Sequence, residues 1–183
     1  MGTIFYQKSN INLAQQLFTE SLRIRRLQLG DKHRDVSFTL YNLALCFQLQ
    51  GRYDDAINCY RETLRIEKAV LGENHKDVSM TMYKLGEVYQ LKEDLSEALQ
   101  YFEAALEIER STIGRDDPAV MARTLNEIGN IHMSRGEVGK MMEAFSDSAR
   151  LFEKAGQSIA ESIAVPDKLY AFENTCPLAS AAA

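Results

Sequence analysis

The sequence predicts an all-α chain, an α-solenoid of antiparallel helix pairs, on three observations. A segment is written three times at a spacing of 42 residues. It runs Leu29-Gly30-Asp31-Lys32-His33-Arg34-Asp35-Val36, then Leu71-Gly72-Glu73-Asn74-His75-Lys76-Asp77-Val78, then, more worn, Ile113-Gly114-Arg115-Asp116-Asp117-Pro118-Ala119-Val120. A fixed period of this size marks a stacked repeat array. Between the copies, apolar residues recur every three or four positions, the spacing of one helix face. Finally, 183 residues contain only 3 Pro and 10 Gly, so few positions break a helix.

Each unit resolves into two helices. In the first full unit Val36, Leu40, Leu43, Ala44 and Phe47 form one apolar stripe, and Gln50-Gly51-Arg52 breaks it. Tyr53, Ala56, Ile57, Tyr60, Leu64 and Ile66 form the second stripe, which Leu71-Gly72 ends. Asp77 is placed to cap the next helix. That helix carries Val78, Met82, Leu85, Gly86 and Tyr89, and its partner carries Leu95, Ala98, Leu99, Phe102, Leu106 and Ile108. Helix pairs are expected at about 35–50 with 53–71, 77–92 with 95–113, and 118–135 with 138–155. The last unit has slipped by one residue, because Val120 to Ile128 is one longer than Val78 to Leu85. An extra residue there implies a bulge or a shifted helix start.

At the front of the chain, Ala14, Phe18, Leu22 and Ile24 match Ala56, Tyr60, Leu64 and Ile66, so the chain opens in a partial repeat over 1–29. Full repeats follow at about 35–71, 77–113 and 118–155, and the array spans 1–156. A capping helix is expected over 157–174 and a flexible tail over 175–183. Phe18, Leu13 and Leu17 would form an apolar edge, and either self-association through this incomplete repeat or instability of that helix is expected.

The small residues set the packing. Ala44, Gly86 and Gly129 in first helices, with Ala56 and Ala98 in second helices, let the helices of a pair approach closely. Aromatic residues at Phe47, Tyr89, Tyr60, Phe102 and Phe145 fill the space between units. Propeller blades of similar length need strands and Trp-Asp signals, and this chain has no Trp. HEAT and armadillo units do not call for this alternation of small and aromatic positions. In that order, and in Leu-Gly-x-x-His-x-Asp-Val, Thr39-Leu40-Tyr41-Asn42-Leu43-Ala44, Gly51-Arg52-Tyr53-Asp54-Asp55-Ala56 and Leu64-Arg65-Ile66-Glu67, the chain resembles the tetratricopeptide repeat, in the 42-residue form of kinesin light chains. The resemblance covers about residues 9–155. It implies a right-handed superhelix whose first helices line a concave groove for a protein partner. The chain departs from the family at Arg34 and Lys76, which stand where Pro usually follows the loop His, and it retains only Asn42 and Asn126 of the paired asparagines.

Nothing in the residues points to catalysis. Neither a phosphate-binding glycine loop nor a nucleophile elbow is present. His33 and His75 occupy equivalent loop positions one repeat apart, which suits a bond to local backbone rather than a shared metal. His132 takes the place of Phe47 and Tyr89 and is expected to pack between helices. Glu103, Glu107, Glu109 and Asp54-Asp55 read as solvated charges. Cys46, Cys59 and Cys176 form no disulfide framework and suit reduced thiols in a cytoplasmic protein. Neither a cofactor nor a metal is expected, and the chain is not read as an enzyme.

Net charge is −5. Residues 1–52 carry 7 Lys/Arg against 3 Asp/Glu, whereas the remainder carries 14 against 23. The acidic total argues against nucleic acid, although Arg23, Arg25, Arg26, Lys32 and Arg34 form a basic knot. No apolar run reaches the roughly 20 residues of a membrane span, and no membrane partner is expected.

What remains is a surface. By register the groove positions are Phe38, Tyr41, Leu45 and Gln48, then Met80, Tyr83, Glu87 and Gln90, then Arg123, Asn126, Asn130 and Met133. Tyr41 and Tyr83 are equivalent, and Tyr suits an interface because it offers area and a hydrogen bond at little entropic cost. The expected function is a non-enzymatic scaffold that binds a partner peptide or extended segment in this groove. The alternative is a regulatory repeat module that docks on another domain of the same chain.

Overall fold

The computed structural model describes residues 11–112 and 117–156. They form seven α-helices: α1 (Ile11–Leu29), α2 (Arg34–Leu49), α3 (Tyr53–Leu71), α4 (Lys76–Leu91), α5 (Leu95–Thr112), α6 (Pro118–Ser134) and α7 (Val138–Lys154). No strand occurs among the described residues. The helices pack as pairs α2–α3, α4–α5 and α6–α7, with α1 against α2, and all the substantial helix contacts join helices adjacent in the chain. The expected repeat 1–29 before Ile11, the capping helix 157–174, the tail 175–183 and Cys176 lie outside the described residues.

The apolar stripes face inward as periodicity requires. Leu40, Leu43 and Ala44 of α2, Ala56, Ile57 and Tyr60 of α3, and Leu85, Ala98 and Phe102 of the next pair are all buried. The close approaches fall at the two glycines. A Cβ added to Gly86 would stand 2.7 Å from the Phe102 ring, and one added to Gly129 would stand 2.6 Å from Phe145. The turn after α2 needs a left-handed residue, and Gly51 supplies φ 74°. At the equivalent place after α4, Glu93 holds φ 63°.

The slip in the last unit lies at the front of α6. Its buried residues Met121, Ala122, Thr124, Leu125, Ile128 and Gly129 match Val78, Ser79, Thr81, Met82, Leu85 and Gly86 of α4 throughout, each one residue late. Thus Met121, not Val120, fills the place of Val78. The helix has gained one residue at its start, with Pro118 in the first turn. Of the two explanations the sequence allows, the shifted start holds.

Three further expectations need correction. The cap of α4 is His75, not Asp77: His33 Nδ1 accepts from the Asp35 N–H and His75 Nδ1 from the Asp77 N–H, each at 3.1 Å, so both histidines bond local backbone as their loop positions suggest. Asp77 sits inside the first turn instead, where it pairs with Arg34 at 3.3 Å and so joins two successive units. Phe18 is not an exposed edge but is buried, leaving Leu13 partly open on α1. Glu109, read as a solvated charge, is 1% exposed, and Glu67 at the equivalent place is 7% exposed.

Candidate functional site

Because α2, α4 and α6 are the first helices of successive pairs, residues at one register position repeat along a single face. The structure places Phe38, Met80 and Arg123 at the outermost such position, all exposed, with Phe38 54% and Met80 47% accessible. One turn further along, Tyr41, Tyr83 and Asn126 are half-buried. Leu45, Glu87 and Asn130 follow, then Gln48, Gln90 and Met133, all likewise half-buried.

Four of these residues converge. Tyr41, Met80, Tyr83 and Arg123 line one cavity of about 840 Å³, which runs from α2 past α4 to the start of α6. Sequence reasoning missed other members of its wall, among them Lys76, Lys84, Val120 and the buried Glu109. Glu109 was not legible in the sequence, since Glu103, Glu107 and Arg110 on the same helix are exposed charges.

The tyrosines are not free rungs. Tyr41 meets Tyr60 edge-on at 5.5 Å between ring centres, and Tyr83 meets Phe102 likewise at 5.3 Å. Burial, with help from the Glu87 charge, pushes the Tyr41 hydroxyl up to about 12, and burial raises that of Tyr83 further still. Both hydroxyls stay neutral, and each ring packs on a second-helix aromatic while lining the cavity. Gln48 is engaged as well, accepting from the Tyr60 hydroxyl at 3.2 Å. Further along, Glu87 pairs with Lys84 at 2.6 Å, and Asn130 donates to Glu127 at 3.5 Å. Burial raises Glu127 above the ordinary carboxylate range, against bonds from Asn130 and Gln90 that lower it.

The four arginines of the basic knot are engaged within the chain, whereas Lys32 is exposed. Arg23 pairs with Glu20, Arg26 with Glu62 and Arg34 with Asp77, and Arg25 donates to the Asp35 carbonyl and the Thr39 hydroxyl. His132 is buried and its Nδ1 lies 2.9 Å from Glu137, so it packs between helices as its register implies. Cys46 and Cys59 are free, and burial raises both thiols, Cys59 to about 11, which leaves them unreactive.

Stacked helix pairs with a continuous, partly apolar face on their first helices define a helical-repeat interaction protein. A family model of the tetratricopeptide repeat matches residues 1–69 and 39–111, and the chain belongs to that family. Proteins with this repeat generally serve as non-catalytic scaffolds for protein–protein interaction. Among solved structures, BtubC (BKLC) from P. vanneervenii superposes with a TM-score of 0.80 at 21% identity, over 86% of this chain and 62% of that one. The chain therefore spans less than two thirds of that protein. A Podosopora anserina putative kinesin light chain with nearly identical TPR-like repeats gives 0.73 at 18% identity, over 84% of this chain and 72% of its own. MamA gives 0.64 at 17% identity, over 85% of this chain and 76% of its own. At these identities the likeness is one of fold, and the fold is of the kinesin-light-chain repeat type. No curated protein matches the chain. No helix among the described residues is long and apolar enough to cross a membrane.

Proposed function

We propose that this chain is a non-enzymatic scaffold that holds an extended segment of a partner protein across α2, α4 and α6. One observation carries the reading: the equivalent residues Phe38, Met80 and Arg123 stand exposed along one face, beside the cavity walled by Tyr41 and Tyr83. An extended chain is the partner shape that meets equivalent positions of successive repeats in turn. Exposed Phe and Met offer apolar contact, and Met adapts to irregular partners. The half-buried tyrosines are rigid, because their aromatic neighbours hold the rings, so they present area and a hydroxyl at little further entropic cost. The free thiols of Cys46 and Cys59 suit a reducing, cytoplasmic compartment. The internal use of the arginine knot favours protein over nucleic acid as the partner.

The test is a selection of peptides on the intact chain from a displayed library, followed by affinity measurements on variants. Tyr83 is a poor target, since its truncation also opens the contact with Phe102. Met80 is exposed, so Met80→Asp should leave the melting temperature in place. It should weaken the selected peptides at least tenfold, or about 1.4 kcal/mol. Asn58→Asp, on an exposed position of α3, should change little. Peptides that bind Met80→Asp as well as the parent, but lose affinity for Asn58→Asp, would place the partner on the second helices and end the groove reading.

A further inference from the structure

The joints between successive helix pairs carry a repeated polar element that the groove does not explain. Arg25 on α1, Glu67 on α3 and Glu109 on α5 are equivalent, one 42-residue period apart. Each reaches across to a threonine on the next helix: Arg25 to Thr39 at 2.7 Å, Glu67 to Thr81 at 2.7 Å, and Glu109 to Thr124 at 2.9 Å. All three threonines are buried, and so are both glutamates. Among the described residues neither acid forms an ion pair. Arg34 and Arg123 are the cations that act on them, from a distance.

A threonine hydroxyl has one proton to give and two lone pairs to receive. At the first joint the direction is fixed, because a guanidinium only donates. Arg25 donates to Thr39 Oγ1, and the hydroxyl passes its own proton to the Asp35 carbonyl at 2.8 Å. At the third joint Thr124 Oγ1 has the same kind of carbonyl within reach, that of Val120 at 3.3 Å, besides Glu109. An ionised Glu109 competes with that carbonyl for a single proton. A neutral Glu109 removes the conflict, since its carboxyl O–H donates to Thr124 as Arg25 does to Thr39, and the hydroxyl then serves Val120. Glu67 meets Thr81 Oγ1 at 2.7 Å, where a neutral carboxyl O–H can likewise donate.

We propose that Glu67 and Glu109 are proton-operated joints of the array: each, on taking a proton from solvent, becomes the donor that its threonine needs and tightens the contact between neighbouring helix pairs, and each loosens that contact on giving the proton up. The surroundings support this from both sides. Glu67 faces Tyr41 and Arg34 of α2 and Asp77 of α4. Tyr83 of α4 and Arg123 of α6 act on Glu109, and Lys76, Asp77 and Lys84 of α4, His75 before it and Asp117 before α6 line the same cavity. Burial dominates in both cases and pushes each carboxyl up to about 7, against a smaller opposing pull from the threonine bond. The folded chain thus holds these protons more tightly than the unfolded chain, where glutamate has its ordinary value of 4.5. The stability they contribute is complete below about 4.5 and is lost as pH rises through about 7. Glu109 also lines the groove cavity, which brings the device to the surface that α2, α4 and α6 share.

The experiment follows the glutamate side-chain carboxyl signals of the full chain by carbon-13 NMR across the pH range, assigned through bonds. Glu67 and Glu109 should titrate near neutrality, well above exposed glutamates such as Glu103. Glu67→Gln and Glu109→Gln put a permanent neutral donor in place. Each should melt above the parent at about pH 8, and the gap should close toward about pH 5. Titration of both acids near 4.5, or glutamine variants that melt below the parent by the same amount at both pH values, would overturn the proposal. The NMR result stands even for a variant that does not fold, and neither readout depends on a groove partner.

Discussion

The smallest residues decide how closely the helices of a pair approach. Gly86 meets Phe102, which is fully buried, and a Cβ there would intrude to 2.7 Å. The first pair shows what the same place tolerates, since Ala44 and Tyr60 occupy it with both side chains fully buried. A ring can therefore yield to one methyl, at a cost, but not to a branched chain. Gly86→Ala should lose about 1 kcal/mol and Gly86→Leu about 3 kcal/mol in urea unfolding. Equal losses for the two would show that the ring does not set the limit. This contact was legible because small and aromatic residues alternate at fixed register, which needs only side-chain volume. Glu109 was not legible, because a charge among charges reads as solvated. Only the turn of α5 against α6 brings it under Thr124. The tyrosines lie between these cases: their face followed from register, but the second-helix rings that hold them at one side did not.

At the scale of the helix, the repeat motif acts as a start signal. The backbone N–H groups of a first turn lack partners within the helix. At α2 and α4 a histidine ring nitrogen accepts from the residue two places on. This frees the following aspartate to act elsewhere, as Asp77 does toward Arg34. Aspartate outranks histidine as a cap in general preference, which is why the sequence pointed to the wrong residue. At α6 the third copy has Asp117 at the cap without a side-chain bond to the backbone, and Pro118 follows it. Proline needs no partner for a missing N–H, so the demand on the cap is smaller there. His75→Ala should therefore cost about 1 kcal/mol, and His75→Asn, which keeps a short acceptor, should recover most of it. Asp117→Ala should cost less than His75→Ala. Thermal melts of the three variants decide the matter, and a cost at Asp117 as large as at His75 would show that these loops are not held by their caps.

At the scale of the whole molecule, every substantial contact among the described residues joins helices adjacent in the chain, so no described helix ties the first pair directly to the last. In such an array stability is close to a sum of unit terms and nearest-neighbour interfaces. Damage should then stay local, unlike in a two-state domain where any loss lowers the whole. Gly129 offers the cleanest site, because the nearest atoms that a Cβ there would meet, at 2.6 Å, belong to Phe145 within the last pair. Gly129→Ala should speed amide exchange in α6 and α7, with a smaller effect in α5, which packs on α6. Amides of α2 and α3 should keep their protection, since two interfaces separate them from the change. Gly86→Ala, in the middle pair, should instead spread to both sides, through α3 to the front and through α6 to the back. The observable is native-state hydrogen exchange resolved by residue, where opening free energies span the range from local to global. If Gly129→Ala lowers protection equally from α2 to α7, the chain unfolds as one unit. The proton-operated joints would then act on the whole array at once rather than on the contact between two neighbours.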